Sequence, residues 1–402
     1  MVAYSWLFVP LIFSFSTILL IGGIENSEIY IELVESRGYP IETHEVETED
    51  GYLLNVYRIP YGKNSVGNGT PNRYPVLMQH GLFGCGENFI WLNQSIGYML
   101  ADHGYDVWVM NVRGSWHSVK HKTLDPDKDD AYWRFTWHEM GIYDIPATID
   151  YILKNTGAQN ISFIGHSQGT TTIFVMGAVR PEYNEKINGL VAMGPMSVIL
   201  NPEEIFIRLV APHYKLFKAI GKVLDIQKFP PFLSNRQMHA MNRFLCGLKF
   251  SPRWLCTFLV SILVGPNDDQ FDPRIFPITA PLTPSSSSFH QLIHYGQNMM
   301  DKKFTTFDWG NAKENLRRYG SEKPVEYNVT NISFKVALYV APNDVFVSNQ
   351  TVQFLEDTLP NISEVYRVPY ETWTHVDFLW GRDLNIYVHH NLLRTLNGFI
   401  RQ

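Results

Sequence analysis

The chain has 402 residues, of which 45% are hydrophobic and 18% charged, and it carries a formal net charge of −6. That length suits one large α/β domain with an inserted subdomain, enough to bury a full core. The acidic balance argues against nucleic acid as a partner, and no heptad, internal repeat or metal-type cysteine spacing is present.

The chain opens on an almost uncharged apolar run, residues 6–21, followed by Gly22-Gly23. It is short for a membrane span and long enough for the core of a signal peptide covering residues 1–23, with a retained anchor as the alternative. Asp50-Gly51 between two strand-like runs then reads as a hairpin turn. From Tyr74 to Gly194 short apolar strands alternate with helical stretches, which implies a mostly parallel sheet with helices on both faces. The first strand, residues 75–79, ends in His80-Gly81-Leu82-Phe83-Gly84, a loop able to aim the Leu82 N–H at a developing oxyanion. His117 and His121 are four apart with no third ligand nearby and read as ordinary surface residues. Residues 143–154 read as a helix with Pro146 in its first turn and Gly157 past its end.

The next strand, Ile161-Ser162-Phe163-Ile164, runs into Gly165-His166-Ser167-Gln168-Gly169 and then a helix to Val179. This is the G-x-S-x-G elbow, where a sharp strand-to-helix turn exposes a nucleophilic Ser and glycines on either side let backbone pass closely. Ser167 is therefore the candidate nucleophile, and the Gln168 N–H the second oxyanion donor. After it the rhythm changes. Residues 196–320 are rich in Phe, Pro, Leu and Met, lack strand alternation, and include apolar helical runs at 205–224 and 254–264. Strands return at Phe334, and the run to Val340 ends in Ala341-Pro342-Asn343-Asp344. An acid just past a parallel strand lies at the same sheet edge as the elbow. A further strand, 364–369, leads to Thr374-His375-Val376-Asp377-Phe378. The order Ser, acid, His assigns His375 as the proton shuttle and Asp344 as its orienting carboxylate. Asp357 on a helix and Asp377, two residues past the His, are the rival acids. His389 and His390 fall in a terminal helical segment.

The ordered landmarks His80-Gly81-Leu82, Asn111-Val112-Arg113-Gly114, Tyr143-Asp144-Ile145-Pro146-Ala147, Gly165 to Thr171 and His375-Val376-Asp377-Phe378 resemble the acid lipase family, from about Glu32 onward. Val112, Ser115 and Pro342-Asn343 depart from the family's usual residues in their loops. The resemblance implies an α/β-hydrolase fold, with 24–195 and 321–402 forming the core and 196–320 a helical cap or lid. It implies Ser167, Asp344 and His375 as triad, with Leu82 and Gln168 at the oxyanion positions. Cys246 and Cys256, ten apart, could close a small loop in an oxidising lumen, and the family carries such a bridge in this segment. Cys85 is left over as a small buried apolar residue. Seven N-x-[ST] sequons fit a secretory route. Asn68, Asn93, Asn328, Asn331, Asn349 and Asn361 are the glycan candidates, while Asn160 begins the strand feeding the elbow. The expected activity is fatty-acyl ester hydrolysis, of triacylglycerol or steryl ester at a lipid–water interface, by a secreted or lysosomal enzyme without cofactor or metal. The competing readings are an inactive lipid-binding derivative and an acyltransferase. The intact Ser, acid and His disfavour the first.

Overall fold

A computed structural model describes residues 26–63, 74–202, 208, 209, 211–231, 233, 235–248, 251–265 and 269–400. The expected signal peptide at 1–23 and the sequon at Asn68 lie outside these residues. The fold is an α/β-hydrolase. The strands are β1 (Glu42–Glu47), β2 (Tyr52–Ile59), β3 (Pro75–Gln79), β4 (Asp106–Met110), β5 (Lys120–His121), β6 (Ile161–His166), β7 (Ile187–Met193), β8 (Lys228–Phe229), β9 (Ser287–Ser288), β10 (Lys335–Val340) and β11 (Ile362–Arg367). The main sheet runs β1-β2-β4-β3-β6-β7-β10-β11, with β5 paired to β2. The β1–β2 and β2–β4 pairs are antiparallel, and every pair from β4 to β11 is parallel.

Every residue of β3, β4 and β6 is buried. This is the pattern of parallel strands covered on both faces, where alternation gives way to continuous apolar runs. Leu77 and Phe163 face one core cluster, and Val76, Met78 and Ile164 the other. Arg113, just after β4, is itself buried and ties the core together. It donates to Asp144 at 2.7 Å and Asp50 at 2.6 Å, with its guanidinium 3.9 Å from the Tyr52 ring centre.

The helices used below are α1 (Asn26–Ser36), α2 (Ile96–Asp102), α3 (Ile145–Thr156), α4 (Gln168–Val179), α5 (Tyr214–Val223), α6 (Asn235–Asn242), α7 (Arg253–Val264) and α8 (Phe289–Asp301). Helix α3 starts two residues later than its periodicity predicts, because Met140–Asp144 forms a wider π-type turn. It also ends two residues later than expected, at Thr156, with Gly157 just past its end in the left-handed region at φ 72°.

Between β7 and β10 the described chain is a series of helices and connecting loops with one short antiparallel ribbon, β8–β9, which hydrophobic patterning did not anticipate. The expected helix over 205–224 is helical from Tyr214 to Val223, behind a 3-10 turn at Ala211–His213. Residues 205–207 and 210 lie outside the described set. A bond between Cys246 and Cys256 ties the turn before residue 248 to α7, with the Cα atoms 5.9 Å apart. Cys85 is free and buried. Among the described residues no helix is long and apolar enough to cross a membrane.

Candidate active site

Ser167 sits between β6 and α4 with φ 54° and ψ −120°. A non-glycine residue with positive φ is strained, and such strain persists only where the surroundings enforce it. Here they do. A Cβ on Gly165 would come 2.8 Å from Gly169 C, and one on Gly169 would strike Gln79 O. The two glycines of the motif therefore let β6, α4 and the end of β3 meet at contact distance. The Ser167 N–H donates to Met193 O at 3.0 Å, and Thr170 N–H returns to Ser167 O at 2.8 Å. The serine is thus locked to β7 on one side and to α4 on the other.

His375 and Asp344 lie one loop away. His375 Nδ1–H donates to Asp344 Oδ2 at 2.7 Å, and both side chains are buried. Asp344 is oriented by the chain that follows it, since its Oδ1 accepts from the N–H groups of Phe346 at 2.9 Å and Val347 at 3.0 Å. With Nδ1 committed to the carboxylate, the free lone pair of His375 is on Nε2, the tautomer a general base requires. The His375 ring stands 4.9 Å from the ring of His166, the neighbour of Ser167. His166 Nε2–H donates to the His375 carbonyl at 2.8 Å. Burial, followed by the proximity of His375, lowers the His166 pKa to about 3, so His166 is a neutral brace that ties the His375 loop to the elbow.

The rival acids occupy other places. Asp377 Oδ2 accepts from Thr374 N at 2.6 Å and Thr374 Oγ1 at 2.8 Å, which folds the loop carrying His375. Asp357 lies on the helix Asn349–Thr358, bonded to exposed Gln353.

The loop after β3 faces the serine. A Cβ on Gly81 would lie 2.8 Å from Ser167 Cβ and 3.2 Å from its Oγ, so only glycine allows this approach. His80 sets the direction of the loop. Its Nε2 accepts the Val112 N–H at 3.3 Å, so Nδ1 carries the proton and donates to Gly81 O at 2.8 Å. Gly81 C=O and Leu82 N–H belong to one peptide plane and point in opposite directions. Fixing the carbonyl therefore fixes the candidate oxyanion donor. Burial above all keeps His80 neutral, with its pKa lowered to about 4. Gln168, the first residue of α4, leaves its N–H among the orphan donors of a helix start.

Two contributors were not anticipated from sequence. Gly194, just past β7, has φ +57°, and a Cβ there would fall 2.8 Å from His375 Cε1 and 3.4 Å from Asp344 Oδ2. A glycine closing a buried strand is its only sequence signal. The second is His117, expected at the surface. Its side chain is instead only 8% exposed and stands 2.8 Å from the fully buried carboxylate of Glu87. The reason is tertiary, because the segment from β7 to β10 covers its loop. Trp116 stacks on His239 of α6 with ring centres 5.0 Å apart, and Trp116 N–H donates to Ser285 Oγ at 2.8 Å.

Four parts of that same segment reach the site's loops or helix α4. Phe229 meets Phe83 with ring centres 5.1 Å apart. Ser285 N–H donates to Phe83 O at 2.7 Å. Tyr295 of α8 bonds Thr171 at 3.0 Å. Gly265 lies against Val345 and Thr374 in the loops carrying the acid and the histidine. Among the described residues no group of three or more His, Cys, Asp or Glu is arranged to hold a metal ion. Of the sequon asparagines, Asn93, Asn328, Asn331, Asn349 and Asn361 are exposed.

Comparison with known proteins agrees with this fold. The family model described as a partial alpha/beta-hydrolase lipase region matches residues 30–93, and that of the alpha/beta hydrolase fold matches residues 74–382. Lipase 3 of Drosophila melanogaster is 35% identical over 92% of this chain and 92% of its own length. Human Lipase member N is 34% identical, covering 93% of each chain. Gastric triacylglycerol lipase of Bos taurus is 33% identical, covering 91% of this chain and 90% of its own. A solved structure from Sulfolobus solfataricus superposes with a TM-score of 0.55 at 15% identity, over 90% of this chain and 95% of that one, a likeness of fold alone.

Proposed function

The chain belongs to the acid lipase family of α/β-hydrolases and is a serine ester hydrolase of the lipase type; from that premise we propose that Ser167, His375 and Asp344 are its catalytic triad and a neutral lipid ester its substrate. The observation that carries the assignment is the 2.7 Å His375–Asp344 bond, buried against His166, the neighbour of a serine held at positive φ. Ser167 Oγ attacks the ester carbonyl while His375 Nε2 takes its proton. The Leu82 and Gln168 N–H groups receive the oxyanion, each worth about 2.7–4 kcal/mol of transition-state stabilisation. His375 then returns the proton to the departing alcohol, leaving an acyl-enzyme on Ser167. A water, deprotonated by His375, releases the fatty acid and frees the serine. Asp344 holds the imidazole in the required tautomer and stabilises its cation.

Residues 196–320 are read as the cap over this centre, with 24–195 and 321–402 as the hydrolase core. The contacts of Phe229, Ser285 and Gly265 with the site's loops, and of Tyr295 with α4, support that reading. A long apolar cap suits an enzyme that must shelter an acyl chain and open at a lipid surface. The relatives' names, gastric triacylglycerol lipase among them, support triacylglycerol or a related neutral ester as substrate. The Cys246–Cys256 bond fits an oxidising compartment, reached through a signal peptide at residues 1–23, with delivery to the exterior or to the lysosomal lumen. Five exposed sequon asparagines are available to carry glycan. Purified protein assayed on triacylglycerols, steryl esters and short soluble esters tests the reading. We expect long-chain neutral lipids in emulsion to be cleaved. Activity confined to short soluble esters would refute the lipid assignment.

A further inference from the structure

Helix α5 carries its apolar side outward. Leu216, Phe217, Ile220, Val223 and Leu224, the last just past its end, are 57%, 38%, 40%, 81% and 52% exposed. At 100° per residue these five fill one continuous arc of about 120°. The side turned to the protein is different. Gly221 is buried, and a Cβ there would lie 2.6 Å from Phe289 of α8. Lys218 lies on the same inward side and donates to Asp308 O at 2.6 Å. Tyr214 lies there too, against Gly296. A surface helix ordinarily buries its apolar stripe in the core. This one seats a glycine, a lysine and a tyrosine and leaves the stripe to solvent.

The charges carried by the helix itself are of one sign. Lys215 and Lys222 are exposed and project about 20° apart along one flank of the apolar arc. The helix, YKLFKAIGKV, has no acidic residue; the first carboxylate beyond it, Asp225, accepts from Gln227 at 2.8 Å and lies beside Asp130, at the end of the helix away from Lys215. The chain as a whole carries a net charge of −6, so this basic flank runs against the bulk charge of the molecule. An apolar face bordered by lysines is the composition of helices that lie in the plane of an anionic membrane surface.

We propose that α5 docks the enzyme on an anionic lipid–water interface, its apolar arc entering the surface and Lys215 and Lys222 contacting the negative head groups. The inference rests on the lipase reading for its setting and adds to it the charge of the preferred surface. A partner protein surface would need no sign of charge, whereas fatty acids and acidic phospholipids at a lipid boundary supply it.

The test uses the full chain and sedimentation with vesicles of phosphatidylcholine alone or with a minority of phosphatidylglycerol. Wild-type protein should bind the anionic vesicles more tightly, and raised salt should erase the difference. A lysine close to an anionic surface strengthens binding about fivefold. The double variant Lys215→Gln/Lys222→Gln should therefore lose about 25-fold on anionic vesicles and almost nothing on neutral ones. Leu216→Ser/Val223→Ser should lose binding to both. Unfolding midpoints confirm that each variant is folded. Equal binding of wild type to both vesicles at low salt, or an unaffected lysine variant, would overturn the proposal. So would a vesicle-free dimer that Val223→Ser dissociates, because the stripe would then be covered by a second copy. Hydrolysis of a short soluble ester by wild type separates the two readings. Failed docking with that activity intact removes this proposal alone, and absence of that activity removes the enzyme reading beneath it.

Discussion

Three carboxylates lie within reach of the histidine by sequence, yet their contacts give them different work. Asp344 receives the imidazole Nδ1–H and two backbone N–H groups. Asp377 caps Thr374, and Asp357 faces Gln353 at the surface. Asp344→Asn should therefore lower kcat by about 10⁴, the cost of favouring the wrong tautomer, while the unfolding midpoint stays near that of wild type. Asp377→Asn should show the reverse balance, with a lower midpoint and a smaller loss of kcat, because it weakens a loop rather than the base. Steady-state kinetics paired with thermal unfolding of both variants checks this, and a larger kcat loss at Asp377 would reassign the acid. His80 belongs to the same scale. It touches no reacting atom, but it holds the peptide that presents the Leu82 N–H. Deleting an oxyanion donor outright costs about 10²–10³ in kcat. A donor left in place but mis-aimed by His80→Ala should cost about 10- to 100-fold, with KM little changed. A rise in KM at constant kcat would show that His80 shapes substrate binding instead.

At the scale of the elements, the sheet brings four strand ends to one edge. The loops after β3, β6, β10 and β11 carry Leu82, Ser167, Asp344 and His375, the arrangement expected where ligands meet the carboxyl ends of parallel strands. These loops were legible in the sequence because the backbone allows few residue types there. Gly165 and Gly169 sit where any Cβ would collide, and Gly81 where the serine itself intrudes. Gly194 obeys the same rule at the end of β7, but a lone glycine after a strand has no pattern to announce it. Gly194→Ala would push a methyl group against His375 and strain a left-handed backbone. We predict a kcat loss of about 100-fold or more, since misplacing a catalytic group by about 1 Å costs that much. Wild-type kinetics in this variant would mean that His375 moves away from Gly194 before reacting. The mainly helical segment between β7 and β10 was legible as a break in the strand rhythm and not as a surface. Periodicity marks α5 as amphipathic, but which side meets water depends on where the rest of the fold lies. The burial of His117 escaped notice for the same reason, since its cover comes from residues more than a hundred positions away.

Across the whole molecule, several histidines are held neutral by burial. The pKa is lowered to about 4 in His80, His239 and His290 and to about 3 in His166, with desolvation the largest cause in each. In the unfolded chain they would titrate near 6.5. Between that pH and about 4 the unfolded state binds more protons than the native state, so unfolding free energy must fall as pH falls. For His80 alone the shift from 6.5 to about 4 corresponds to about 3 kcal/mol. The unfolding midpoint should be highest near neutrality and decline steadily from pH 6.5 to 4, as calorimetry can follow. A flat or rising midpoint over that range would show that these side chains protonate inside the fold.

The proposed chemistry turns on one oxygen atom, Ser167 Oγ. A fluorophosphonate probe reacts with a serine only where a base and an oxyanion hole activate it. Wild-type protein should therefore be labelled on Ser167, as peptide mass mapping would locate. Ser167→Ala should fold normally, take up no label and lose ester hydrolysis by about 10⁶-fold. Label on any other serine, or substantial hydrolysis surviving in Ser167→Ala, would contradict the assignment of the active site.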